Sequence, residues 1–284
     1  MTKRIMACID ASPYAEATCD YAVWAAKKLQ AAMSVIHVLD KALHTQTPDL
    51  SGSIGLGSQE LLLQQLAELD EKHGKLAMER GRHILDAAKE RALQAGVTDV
   101  EQLLRHGQLV ETLACMADRS KLVVMGKRGF SSAEEHGHIG LHVERVIRSI
   151  STPILLTQQR FIEPKKVMLA FDGSATAEKC LSTLANSAFA AGLPVHIVMA
   201  GEESEANRHL IAAATLQLEQ AGFTTQSAIV DGDPEEVLNE YQQQHHIDMM
   251  VMGAYGHSRI RQFIVGSTTT GMICNAKCSL LILR

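Results

Sequence analysis

The chain states its core pattern twice, and that repetition restricts it to a tandem architecture. Ile5-Met6-Ala7-Cys8-Ile9-Asp10-Ala11-Ser12 is matched by Val167-Met168-Leu169-Ala170-Phe171-Asp172-Gly173-Ser174. Val123-Val124-Met125-Gly126-Lys127-Arg128-Gly129 is matched by Met250-Val251-Met252-Gly253-Ala254-Tyr255-Gly256. Each half closes on a short apolar run, Pro153-Ile154-Leu155-Leu156-Thr157 in one and Ser279-Leu280-Leu281-Ile282-Leu283 in the other. Two paralogous domains are expected, at 1–158 and 165–284, joined by a short polar linker carrying Glu163-Pro164. With 284 residues, 46% of them hydrophobic, the chain can bury two ordinary cores.

Within each half, strands and helices alternate. In the second half, apolar runs read as strands at 166–172, 195–200, 224–230, 249–252 and 279–283, with helices between them at 175–191, 204–221, 234–245 and 267–275. Met249-Met250-Val251-Met252 is too short for a helix and suits a strand buried on both faces, its methionines serving the core. Such alternation gives a parallel sheet with helices on both faces, and a ligand site beyond the carboxyl ends of the strands, where their order reverses. Asp172 ends the first strand and Gly253 the fourth, so both fall at that edge.

The chemistry is suggested by Gly253-Ala254-Tyr255-Gly256, nine residues, and then Gly266-Ser267-Thr268. Glycines just after a strand let backbone amides close on a ligand. Ser267 is placed to cap a helix whose free N–H groups and dipole favour phosphate. The spacing describes a phosphate cradle, and it is neither a Walker loop nor a dinucleotide fingerprint.

Composition narrows the partners. A formal charge of −5 and 4% aromatic residues leave neither a basic surface nor stacking platforms, so no nucleic-acid partner is expected. No apolar run approaches the ~18 residues of a membrane span. The amino terminus, interrupted by Asp10, is too short and polar for a secretory signal, so a cytoplasmic location away from membranes is expected. Six cysteines without a Cys-x-x-Cys pair read as buried free thiols.

Asp172-Gly173-Ser174, Gly232-Asp233-Pro234 and the glycine-serine pattern together resemble the universal stress proteins of the tandem type, over essentially the whole chain. The resemblance implies two Rossmann-like domains of the adenine nucleotide α-hydrolase-like kind, each a five-stranded parallel sheet of order 3-2-1-4-5, and an adenine nucleotide ligand, ATP with or without Mg. It implies that Asp172, beside Gly173, meets the ribose or a metal-phosphate group and that Val198 and Met199 offer backbone to the adenine edge. Gly253 and Gly256 would pass close to ribose and phosphates, and Gly266, Ser267 and Thr268 would hold the β and γ phosphates. The terminal strands are expected to pair as an internal pseudo-dimer, which also covers an aggregation-prone edge; homodimerisation is left open.

The first half departs from the pattern. Ten residues separate Gly129 from Gly140, and Leu141-His142 stands where Ser267-Thr268 stands in the other half. A leucine accepts no hydrogen bond, so a degenerate site is expected there, although Lys127, Arg128, His136, His138 and His142 leave a partly cationic loop. No metal site is expected, the His-rich loop reading as solvated. About 35 extra residues follow the second strand, since Asp10 and Asp172 are 162 apart while Gly126 and Gly253 are only 127 apart. They read as a loop at 43–57 and a helical stretch at 59–95, packed on its own domain, with a break at Gly74 or Gly81.

Nothing resembles a paired carboxylate centre or a nucleophile elbow. No catalytic residue is assigned, and slow ATP hydrolysis is the most that Asp172, Asp231 and Asp233 with His257, Arg259 and Arg261 would support. A stress-response regulator or sensor is the leading expectation. The alternatives are a slow ATPase or transferase acting on a nucleotide conjugate, and a scaffold whose first domain binds a protein or an apolar metabolite.

Overall fold

The computed structural model describes residues 3–39, 56–129, 141–254 and 267–284. The first half runs β1 (Arg4–Cys8), α1 (Ala15–Lys28), β2 (Met33–Leu39), α2 (Leu56–Gln94), β3 (Val100–His106), α3 (Leu109–Met116), β4 (Ser120–Gly126), α4 (Leu141–Ser149) and β5 (Ile154–Thr157). The second runs β6 (Val167–Ala170), α5 (Ala175–Asn186), β7 (Val195–Ala200), α6 (Glu205–Gln220), β8 (Thr225–Val230), α7 (Pro234–Gln244), β9 (Met249–Gly253), α8 (Ser267–Asn275) and β10 (Ser279–Leu283).

Each half is a parallel sheet of order 3-2-1-4-5, and the two join into one ten-stranded sheet, β3-β2-β1-β4-β5-β10-β9-β6-β7-β8. The junction is the antiparallel pair β5 and β10, with Leu156 opposite Leu280, Leu155 opposite Leu281 and Ile154 opposite Ile282. Both strands are buried along their whole length. Strand periodicity divides the core between the two faces. Ile5, Ala7, Leu155, Leu169, Val251 and Leu281 face the layer of α1, α2, α5 and α6. Met6, Val123, Leu156, Met168, Met250 and Leu280 face α3, α4, α7 and α8.

Two helices differ from their sequence patterns. The stretch 175–191 ends early at Asn186, because the Ser187 side chain accepts from the Phe189 N–H and starts a separate 3-10 turn. That turn drops Phe189 into the junction, edge-on to Trp24 with ring centroids 4.8 Å apart. Helix α2 runs unbroken through both glycines for 39 residues. It packs on its domain only from Gly81 onward, while 64–80 is largely exposed, with Leu69 at 48% and Leu76 at 63%. Gly81 is the docking point rather than a break: a Cβ there would lie 2.8 Å from Leu104 Cδ1 and 2.9 Å from His37 Cδ2. The loop expected at 43–57 lies outside the described residues up to 55; Leu56 and Gly57 already belong to α2.

Candidate functional site

Strands β6 and β9 are neighbours in register, Val167 opposite Met249 and Leu169 opposite Val251, so their carboxyl ends lie side by side where the strand order reverses. This is the expected ligand edge. Asp172 is exposed there, and its Oδ1 accepts the Ser174 N–H at 3.0 Å, forming a turn. Gly173 takes the left-handed conformation, φ +69°, which redirects the chain. Ser174 then caps α5 by accepting the Ala177 N–H at 3.2 Å. The three residues thus turn the chain from β6 into α5 and leave the Asp172 carboxylate exposed at the edge.

Gly253 ends β9, and a Cβ there would meet Thr176 Cγ2 at 2.6 Å and Thr176 Cβ at 3.0 Å. The first turn of α5 therefore presses on the strand end, and the glycine is required by packing whatever else it does. The next strand-end glycines, Gly201 and Gly232, both have φ +140°. Asp233 caps α7 by accepting the Glu235 N–H at 2.9 Å, with Pro234 in the first turn. Helix α8 starts at Ser267, as its sequence predicts, and Thr268 follows in its first turn. Gly256 and Gly266, with His257, Arg259 and Arg261, lie outside the described residues.

Val198 and Met199 lie inside the ladder of β6, β7 and β8, both buried, and the Val198 carbonyl accepts the Phe171 N–H at 2.9 Å. The ladder runs on through Ala200, opposite Val230, and ends at Gly201, whose N–H donates to the Val230 carbonyl.

The first half repeats this edge with altered chemistry. Asp10 Oδ1 accepts the Ser12 N–H at 3.0 Å, as Asp172 does with Ser174. Gly126 lies under Tyr14 as Gly253 lies under Thr176, a Cβ there coming 2.7 Å from Tyr14 Cβ. Gly129 returns towards Asp10, with its Cβ position 3.2 Å from Asp10 Oδ2. Helix α4 is nine residues long, like α8, but its first residue is Leu141 where α8 has Ser267. His136 and His138 lie outside the described residues, and among the described residues no cluster of histidine, cysteine or acidic side chains is arranged to hold a metal ion.

Motif reading missed how far Lys127 reaches. Lys127 is 6% exposed, and its ammonium donates to the Ala276 carbonyl just beyond the end of α8, in the other half. Gln158, which follows β5, donates to the same carbonyl at 3.0 Å and to the Cys278 carbonyl at 2.5 Å. Arg284, which follows β10, answers by donating to the Arg148 carbonyl in α4. The last helix of each half is thus braced at its carboxyl end by the other half. The one available signal for Lys127 is its mismatch with Ala254 in the repeat.

A model described as the universal stress protein family matches residues 1–158 and 163–284. Universal stress protein Slr1230 of Synechocystis sp. is 37% identical over 99% of this chain and 100% of its own length. Universal stress protein YxiE of Bacillus subtilis is 28% identical, and its whole length corresponds to 56% of this chain. A universal stress protein from Archaeoglobus fulgidus has the same fold, with a TM-score of 0.76 at 16% identity over 99% of this chain and 98% of its own. The duplicated sheet, the paired turn-forming aspartates and the full-length match agree: the chain belongs to the universal stress protein family.

Proposed function

We propose that the second half binds one adenine nucleotide, ATP with or without Mg, and that the protein acts as a nucleotide-responsive regulator or sensor of stress. The observation that carries this reading is the meeting of Asp172 and Gly253 at the β6/β9 edge, with α8 opening at Ser267 on the same side. Asp172 supplies a carboxylate for the ribose or a metal. Gly253, Gly256 and Gly266 let backbone approach the phosphates, and Ser267 and Thr268 bind them at a helix N-terminus. The adenine edge falls to backbone where β7 ends, at Ala200 and Gly201, the continuation of Val198 and Met199. In the first half, Leu141 offers no hydroxyl at the equivalent position, so that site holds no nucleotide in this way. The domains are taken as 1–158 and 165–284, and the protein as cytoplasmic.

The test is the nucleotide content of freshly purified protein, by acid extraction and chromatography. About one ATP or ADP per chain is expected, lost when Gly266→Val and Ser267→Leu are combined. No nucleotide in either protein, together with a melting temperature unmoved by ATP-Mg, would overturn the proposal.

A further inference from the structure

A cavity of about 150 Å³ opens between the two halves, lined among others by Tyr14, Lys127, Arg128, Gln158, Cys274 and Ala276. We propose that it is a binding site for a small oxyanion, held by Lys127 and Arg128 of the first half against the carboxyl end of α8 in the second. The site is separate from the nucleotide cradle and does not depend on it.

The first ground is charge. Among the described residues, Lys127 and Arg128 line the cavity and no aspartate or glutamate does. A buried ammonium is ordinarily paired with an anion. Among the described residues, the titratable and charged groups that face Lys127 are Cys278, Cys274 and Arg128. Burial pushes the Cys278 thiol up to about 12 and raises Cys274 as well, so at neutral pH neither supplies a negative charge. The partner Lys127 does have, the Ala276 carbonyl, contributes the end of a helix dipole, roughly half a charge. Among the described residues, two full positive charges face about half a negative one, a balance that favours an anion in the cavity. Desolvation accordingly lowers Lys127 to about 8, with the Arg128 charge acting in the same direction.

The second ground is size. A cavity of this volume accommodates a molecule the size of benzene, and typical nucleotide- or drug-sized pockets begin at roughly 300 Å³. Sulfate, phosphate or a short carboxylate fits, and a nucleotide does not. The third is position. Ala254, the repeat counterpart of Lys127, is apolar and 1% exposed, so the charge is peculiar to one side of an otherwise symmetric junction.

Sulfate is the better probe, because its charge stays constant through the pH range in which Lys127 titrates. At constant ionic strength and pH 7, about 10 mM sulfate in place of chloride should raise the melting temperature by ~3 °C, saturably. The rise should shrink at pH 9, where binding must first return a proton to Lys127. It should vanish in Arg128→Gln, which leaves the Lys127 brace on α8 in place, and in Lys127→Met if that variant folds. It should persist in Ser267→Leu, which alters only the cradle of the second half. An equal rise in Arg128→Gln, a rise abolished by Ser267→Leu, or no rise in the parent protein would each overturn the assignment; the second outcome would place the anion in the cradle instead.

Discussion

At the scale of single residues, Gly253 and Gly126 show how one residue type can answer two demands. Both end the fourth strand of their half, and both sit under the start of a helix, at Thr176 in the first turn of α5 and at Tyr14, the residue that precedes α1. The atoms a methyl group would strike are the Cβ and Cγ2 of Thr176 and the Cβ and Cγ of Tyr14, which cannot swing aside without moving the helix. Gly253→Ala and Gly126→Ala should therefore each destabilise the protein by about 1–3 kcal/mol, the usual cost of overpacking, as measured by urea unfolding without nucleotide. If Gly253→Ala instead unfolds like the parent protein while losing nucleotide, the ligand and not α5 imposes the glycine. The motif in the sequence announces the constraint and is silent about its source, because a glycine pattern records only that something comes close. The same holds for Gly81, where the sequence suggests a break and the neighbour turns out to be Leu104.

At the scale of elements, boundaries were legible wherever a local cap sets them. Ser204 accepts the Asn207 N–H to open α6, and Asp233-Pro234 opens α7, where the sequence pattern puts them. Boundaries were lost where the decision is tertiary, as in the 3-10 turn that buries Phe189 against Trp24. Helix α2 was legible as a helix, but its sequence could not say that residues 64–80 are largely exposed. The two glycines of α2 give the contrast a measurable form. A Cβ at Gly74 would meet nothing within 4 Å, whereas one at Gly81 would meet Leu104 and His37. Gly74→Ala should strengthen the projecting segment by about 1 kcal/mol, seen as slower amide hydrogen exchange in residues 64–80 with little change in global stability. Gly81→Ala should do the reverse, speeding exchange across the docked segment and lowering the global unfolding midpoint. Equal effects at the two positions would show that α2 is packed alike along its length.

At the scale of the whole molecule, one sheet, two shared core layers and the reciprocal braces from Gln158 and Arg284 join the halves, which should therefore unfold as a single cooperative unit. The strand pairing behind that unit was readable from the two apolar closing runs. The braces were not, because they join residues more than a hundred positions apart with no pattern between them. Cooperativity gives alkaline pH a definite effect. Burial pushes the thiols of Cys8 and Cys19 in the first half, and of Cys180 and Cys278 in the second, up to about 12. In the unfolded chain these thiols lose their protons near pH 8.5–9, roughly. Above that pH the unfolded state holds fewer protons than the folded one, so each thiol lowers stability by about 1.4 kcal/mol per pH unit until it titrates in the folded state too. Lys127 acts oppositely. Lowered to about 8 when folded, it favours the folded state increasingly from pH 8 up to its unfolded value of roughly 10.4. Four thiols against one lysine leave a net fall of about 4 kcal/mol per pH unit between pH 9 and 10.4. Urea unfolding followed by the fluorescence of Trp24, the single tryptophan, should show this fall as one transition for both halves. Lys127→Met removes the opposing contribution, so stability should fall about 1.4 kcal/mol more steeply per pH unit in that variant. A flat profile in the parent protein would mean that the thiols reach water in the folded state. Two separate transitions would mean that the junction does not couple the halves.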